Sequence, residues 1–379
     1  MRAALFIVAL AFTPARGAEN PGVTGAAILQ IPMGSRALAM GSAFTAVGGD
    51  ASALYYNPAS MSRLNAQEVG LSYFSGLSDN ALQEISYAGP TPFLGLCGNG
   101  RTSAGASLLY SQSGVIEYNR LDSNGSLQSS QNLNAGTDLV ASLGYSEEVA
   151  STPLELPDMT YGIHHFLGVS GKYIRSTLAG AYSAQSVAAD IGYLAHSPEA
   201  GLSAGISLLN AGNEMKFINV GDPLPLMTRL GVAYQFTSNS EHSFLTAVDG
   251  VYSLHEKIWQ ANIGEEYLWQ KTFALRGGYQ FFSDTLGLTL GFGLRINNRI
   301  LIDYAWGMSQ TMNDTHHFTI SYRFGALTSA ERGRERKPVI EFVPEREQLK
   351  GLDNAAPLIE KPRQAYPQDN NQALPGWIY

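Results

Sequence analysis

The feature that most constrains this chain is a strict period of two. From Leu286 to Asn297 the even positions are Leu286, Leu288, Leu290, Phe292, Leu294 and Ile296, and the odd positions are Gly287, Thr289, Gly291, Gly293, Arg295 and Asn297. Successive side chains of a strand point to opposite faces, so this run is a strand with one bulky apolar face and one small or polar face. The next run sets Ile300, Ile302, Tyr304, Trp306 and Met308 against Leu301, Asp303, Ala305 and Gly307, with Leu301 the one exception. Phe318, Ile320, Tyr322 and Phe324 repeat the pattern, and so do Leu230, Val232, Tyr234 and Phe236.

A soluble β-sandwich also alternates, but its second face meets bulk water and carries Lys and Glu. Here that face is Gly, Ala, Ser and Thr with isolated Arg, Asp or Gln, which suits a crowded polar lumen. The bulky face often has an aromatic residue near its end, as a membrane barrel's interfacial girdle requires. Composition agrees: only 15% of residues are charged, against about 25% in ordinary soluble proteins. No stretch of about 18 apolar residues exists to form a spanning helix.

Fourteen candidate strands follow from residue 67: 67–74, 82–90, 103–119, 130–147, 166–177, 185–196, 201–209, 227–237, 243–252, 257–268, 272–281, 286–297, 299–308 and 316–324. The run 103–119 also reads as a hairpin pivoting on Ser113-Gly114. Turn signals fall at Ser123-Asn124-Gly125, Asn210-Ala211-Gly212-Asn213 and Asn297-Asn298. The tight turn before Arg299 is expected on the periplasmic side. The fold class expected is all-β, a transmembrane antiparallel β-barrel of about fourteen strands.

Residues 1–17 read as a secretory signal peptide: Arg2, an apolar run from Ala3 to Phe12, Pro14, and Ala15-Arg16-Gly17 as the cleavage site. The chain is then expected in the outer membrane of a Gram-negative-type (diderm) bacterium after Sec-type export. Cys97 is the only cysteine, which excludes a disulfide framework, and it lies too deep in the chain for a lipid anchor. A net charge of −8 argues against a nucleic-acid partner. Residues 325–379 hold eight basic and eight acidic residues and six prolines. They read as a largely disordered periplasmic tail, either a docking element for a periplasmic partner or the cell wall, or a solvated spacer.

No catalytic set, P-loop or Gly-x-Ser-x-Gly elbow is present, so no enzyme, cofactor or metal is expected. The pairs His164-His165 and His316-His317 cannot each chelate one ion from a strand, because neighbours point to opposite faces. On the register above, Arg276, Arg295, Asp303 and Arg323 point inward, either anchoring a plug through Asp50, or lining a solute path, or pairing with one another.

The segment from Met33-Gly34-Ser35-Arg36-Ala37-Leu38-Ala39-Met40-Gly41 through Asp50-Ala51 to Asn57-Pro58-Ala59 resembles the N-terminal hatch of the PorV/PorQ-like family within the FadL superfamily of outer-membrane barrels. Gly264-Glu265-Glu266-Tyr267, Ala274-Leu275-Arg276-Gly277-Gly278-Tyr279, Gly291-Phe292-Gly293-Leu294-Arg295, Asp303-Tyr304-Ala305 and Ser321-Tyr322-Arg323-Phe324 extend the resemblance over roughly residues 25 to 325. It implies a fourteen-stranded barrel, residues 67–324, whose lumen is plugged by a hatch, residues 18–66. About fourteen strands leave a hole that side chains alone do not fill. Gly34, Arg36, Asp50, Asn57 and Pro58 are the candidate hatch or gating residues. Asp50 is expected to cap a short helix over Ala51 to Tyr56, which Pro58 ends.

The resemblance implies three functions. One is a hatch-gated passage for small hydrophobic molecules. Another is an outer-membrane component of type IX secretion that docks secreted protein. The last is a structural barrel acting through its tail. Outer-membrane lipid is a partner in all three.

Overall fold

A computed structural model of the chain describes residues 22–325, apart from 77–79, 93–94, 99–100, 157–158, 240, 284–285, 298 and 310–312. The signal peptide and the tail beyond Gly325 lie outside the described residues.

Sixteen strands are present among the described residues: β1 (Gln67–Ser75), β2 (Ala81–Pro90), β3 (Thr102–Leu121), β4 (Leu127–Leu156), β5 (Met159–Leu178), β6 (Tyr182–Ser197), β7 (Leu202–Gly212), β8 (Met215–Lys216), β9 (Gly221–Asp222), β10 (Met227–Asn239), β11 (His242–Ser253), β12 (Ile258–Trp269), β13 (Phe273–Phe281), β14 (Leu286–Ile296), β15 (Ile300–Ser309) and β16 (Thr315–Phe324). All but β8 and β9 form one closed antiparallel barrel of fourteen strands. Closure joins β1 to β16, from Gln67 opposite Phe324 to Ser75 opposite His316. Closure leaves no free sheet edge, the condition for spanning hydrocarbon. β8 and β9 pair as a small ribbon in the connection between β7 and β10. β1 begins and β16 finishes at the terminal end of the barrel, and this connection lies at the opposite, loop end.

The alternation sorts as the sequence predicts. Leu288, Leu290, Phe292, Leu294 and Ile296 are exposed on the outside, whereas Thr289 and Gly293 are buried inside. Leu301, the exception, is buried in the lumen. Leu286 departs from the expected register. It is 1% exposed and packs on Leu38, Ala39 and Ala305, because an irregularity between Leu286 and Thr289 turns it inward. Aromatic pairs ring the outside near both ends, among them Tyr252–Trp259 and Tyr322–Phe324.

The run 103–119 is one strand, as counted, and not the alternative hairpin, with Ser113 opposite Gly136. Two further expectations are corrected. Asn210 is not a turn residue: β7 continues to Gly212, and Asn210, at φ +64°, sits at a register shift against β6. β4 and β5 outrun their predicted ranges, with pairs from Ala150–His165 to Leu156–Met159. Beyond the rim neither face is tied to lipid or lumen, so the alternation that marks a strand fades there.

Residues 23–66 form an inner segment that threads the lumen. A short 3-10 turn, Ala27–Gln30, lies at the loop end. The helical turns α1 (Ser35–Ala39) and α2 (Ala53–Tyr56) and a second 3-10 turn, Pro58–Arg63, follow towards the terminal end, where the chain enters β1. Asp50 does not cap α2. Ser52 is the residue before that helix, and Asp50 Oδ1 instead accepts from Ser52 N at 3.0 Å, an Asx turn one step earlier.

Candidate functional site

The site is the contact between the inner segment and the wall, and it has three parts of different chemistry. The first is ionic. Arg36 on α1 donates from Nε and Nη2 to the two oxygens of Glu266 on β12, both at 2.8 Å, and from Nη1 to Asp50 Oδ2 at 3.1 Å. Burial opposes the charge on Arg36, but the carboxylates of Glu266 and Asp50 outweigh it and raise its pKa above the ordinary arginine value. Arg276 on β13 joins the same network, with Nε 2.6 Å from Glu266 Oε2 and Nη1 2.6 Å from Asp303 Oδ1 on β15. Arg323 on β16 pairs with Glu68 on β1 at 2.7 Å, and each also holds the inner segment. Arg323 Nη2 donates to Gly49 O at 2.9 Å, and Ala51 N donates to Glu68 Oε1 at 3.2 Å. A second anchor lies on β11, the strand beside β12. Asp249 Oδ2 on β11 accepts from Phe44 N, Thr45 N, the Thr45 hydroxyl and Arg229 of β10.

The second part is backbone against backbone. Where the inner segment touches the wall, the wall residue is often glycine. An added Cβ at Gly278 would lie 2.1 Å from Gly41 N, and one at Gly192 would lie 2.0 Å from Asn57 Oδ1. Asn57 Nδ2 also donates to Thr45 O at 2.9 Å and Tyr193 O at 3.1 Å, while its Oδ1 accepts from Ala59 N. The small face of the alternation is therefore shaped by the segment it receives.

The third part is apolar. At the loop end, inward residues of β1 to β6, including Phe74, Leu82, Leu109, Val140 and Ile174, form a buried layer with Ile28, Leu29 and Met33 of the inner segment and Met215 and Leu224 of the connection above. Glu256, between β11 and β12, clips the segment there: Thr24 Oγ1 donates to it at 2.6 Å and Gln30 Nε2 at 3.0 Å. Gly25 N donates to Pro223 O at 2.9 Å.

The structure brings most of the predicted site residues together. Gly34, at φ +78°, precedes α1 and stands against Ser52, where a Cβ would meet another at 2.7 Å. Gly34, Arg36, Asp50, Arg295, Asp303 and Arg323 border one polar cavity of about 30 Å³, room for a water molecule rather than an organic solute. Asn57 and Pro58 stand apart from it, against Gly168 and Gly192. Of the three alternatives for the inward charges, Arg276 and Asp303 do pair with one another, while Asp50 pairs with none of them: its cation is Arg36, from the segment itself, and Arg323 answers to Glu68. The alternation alone does not single out Glu266, Glu68, Arg229, Asp249 or Glu256. For Glu266 a signal existed: in Glu265-Glu266 one of two adjacent strand residues must face inward. His317 is buried against Phe74, and His316 lies outside with its Nδ1 2.8 Å from Tyr304 Oη.

Residues 8–132 match the model of a family described as "Uncharacterised protein family (UPF0164)". A comparison with curated protein sequences returns no match. Among solved structures, the toluene transporter TodX of Pseudomonas putida aligns with a TM-score of 0.51 and 16% identity, over 77% of this chain and 98% of that one. The toluene transporter TbuX of Ralstonia pickettii gives 0.50 and 14%, over 77% and 98%. At this identity the likeness concerns the fold alone, a closed fourteen-strand antiparallel barrel.

Proposed function

We propose that the protein is an integral outer-membrane barrel of the FadL type, a passage for small hydrophobic molecules in which residues 22–66 act as the hatch. The carrying observation is the apolar layer at the loop end. An aqueous pore keeps a polar interior, whereas here the lumen beneath the connection between β7 and β10 is lined by Leu82, Leu109, Val140 and Ile174. The fold shared with two toluene transporters supports the same reading. Ile28, Leu29 and Met33 occupy the layer, so a ligand takes their place when the segment yields. The ionic and glycine contacts nearer the terminal end hold the rest of the hatch meanwhile. The loop end then faces outward, and Gly34, Arg36, Asp50, Asn57 and Pro58 hold the hatch rather than touch the ligand.

Extraction and mass spectrometry of apolar molecules bound to the purified barrel tests this. A defined hydrophobic compound in the wild type that is depleted by Ile174→Asp is expected. Detergent and bulk phospholipid alone would overturn the reading.

A second reading, the docking of secreted protein as in PorV/PorQ-like components of type IX secretion, draws on one feature. The β3–β4 hairpin stands beyond the rim, past the point where Ala81 pairs with Gln112 and Leu178 with Gly136. It exposes Val115, Ile116, Tyr118, Leu121 and Leu127. Capture of a secreted signal domain by the wild type, lost when residues 115–134 are replaced by a short turn, is the outcome that reading requires.

A further inference from the structure

Glu84 sits on a boundary. Along β2 it lies between Leu82, in the apolar layer, and Ser86, on the wall of the polar cavity. Across the ladder it faces Leu109 of the apolar layer on one side and Ser72 of the cavity wall on the other. Its side chain is buried, 8% exposed.

The other carboxylates of the cavity have cations: Asp50 has Arg36, Glu68 has Arg323 and Asp303 has Arg276. Glu84 has no hydrogen bond or ion pair among the described residues, and the charged group acting on it is another carboxylate, Asp50. The arginines bordering the cavity are committed as well. Arg36 is held by Glu266 and Asp50, Arg323 by Glu68, and Arg295 has a contact of its own. A buried carboxyl group without a donor is costly to maintain, and the cost is relieved when a donor or cation reaches it. That relief is on offer at the inner edge of a greasy compartment.

We propose that the apolar layer takes amphiphiles whose head group is cationic, alkyl amines above all, and that the carboxyl group of Glu84 receives the head while Leu82 and Leu109 flank the first carbons of the tail. A fatty-acid carboxylate is disfavoured at the same place. It would share the site with Glu84 as a second like charge, and two of the cavity's arginines, Arg36 and Arg323, already hold carboxylates. The proposal rests on the passage reading above and narrows its ligand class.

The test uses the refolded full barrel in a zwitterionic detergent near neutral pH. Dodecylamine, dodecanol and dodecanoate each compete with a neutral fluorescent naphthalene probe, on the wild type, E84Q and E84D. The expected result is that dodecylamine displaces the probe at about tenfold lower concentration than dodecanoate on the wild type, the scale of a charge-assisted hydrogen bond. E84Q brings the two within about twofold and leaves dodecanol unchanged, while E84D keeps the amine preference. The ratio between proteins for each ligand cancels its partition into micelles. Equal or tighter binding of dodecanoate by the wild type overturns the proposal, as does an amine preference that survives in E84Q. If dodecanol competes but head groups do not discriminate, this proposal alone falls. If none of the three ligands competes, the passage reading falls with it. Should E84Q fail to fold, the head-group series on the wild type and E84D still decides.

Discussion

Arg36 and Glu266 lie 230 positions apart in the chain and face each other through two parallel contacts, Nε to Oε2 and Nη2 to Oε1, both 2.8 Å. Glu266 also serves Arg276, through the same Oε2, at 2.6 Å. One wall carboxylate thus holds a cation of the inner segment and a cation of the next strand, all three side chains being at least nine-tenths buried. Breaking a buried pair by removing one partner typically costs about 3–5 kcal/mol, because the other charge is stranded.

The network therefore predicts an order of effects. Arg36→Met leaves Glu266 with Arg276, whereas Glu266→Gln removes a carboxylate from two arginines at once. Glu266→Gln is expected to lower the denaturant midpoint more than Arg36→Met, the latter costing about 3 kcal/mol. Equilibrium unfolding of the refolded barrels checks this, and equal midpoints would mean that Arg276 does not depend on Glu266.

Adjacent glycines give a sharper contrast. A Cβ at Gly278 meets Gly41 N at 2.1 Å, but one at Gly277, on the outer face, meets Leu290 Cδ2 at an ordinary 3.6 Å. Gly278→Ala should force the inner segment off the wall at a cost of about 1–3 kcal/mol, the range for overpacking. Gly277→Ala should stay within about 0.5 kcal/mol of wild type. Limited proteolysis reads the difference directly: cleavage between residues 34 and 50 is expected in the first variant and not in the second.

At the loop end the clip is a single carboxylate. Glu256 accepts from Thr24, Gln30 and Ser253 at the end of β11. Glu256→Ala removes these bonds from residues 24–30 while leaving the anchors at Glu266 and Asp249 intact. The expected outcome is faster uptake of a hydrophobic dye into barrel-containing liposomes, with the global unfolding midpoint changed by no more than about 1 kcal/mol. Unchanged uptake together with a large fall in stability would show that Glu256 supports the fold rather than the closure.

Much of the barrel is legible in the sequence because its period is imposed twice. Lipid demands a bulky apolar residue at each outward position, and the lumen tolerates only small or paired polar ones at the next. All fourteen barrel strands follow from that rule, and so does the inward direction of Arg276, Asp303 and Arg323. What escapes it is local or long-range. Leu286 turns inward through a register irregularity, which no periodicity records. Asn210 looks like a turn residue but spends its left-handed conformation on a shift within β7. Glu266 and Asp249 acquire meaning only from what the inner segment brings opposite them, Arg36 in one case and the backbone of Phe44 and Thr45 in the other. Single-chain patterns show which face a residue takes. They do not show which of two hundred others it will meet there.

The contacts at Gly49 and Ala51 have a consequence for assembly. Glu68 and Arg323 sit on the first and last strands of the barrel, 255 positions apart, and bond each other across the closing seam while both grip the inner segment. Bringing such distant strands together is the slow, entropically costly step of a barrel. A segment already seated against β1 offers the arriving β16 a carbonyl to dock on before its ladder has formed. Residues 48–51 then act as a clasp between the first and last strands, and a chain lacking them would be slower to become a ring.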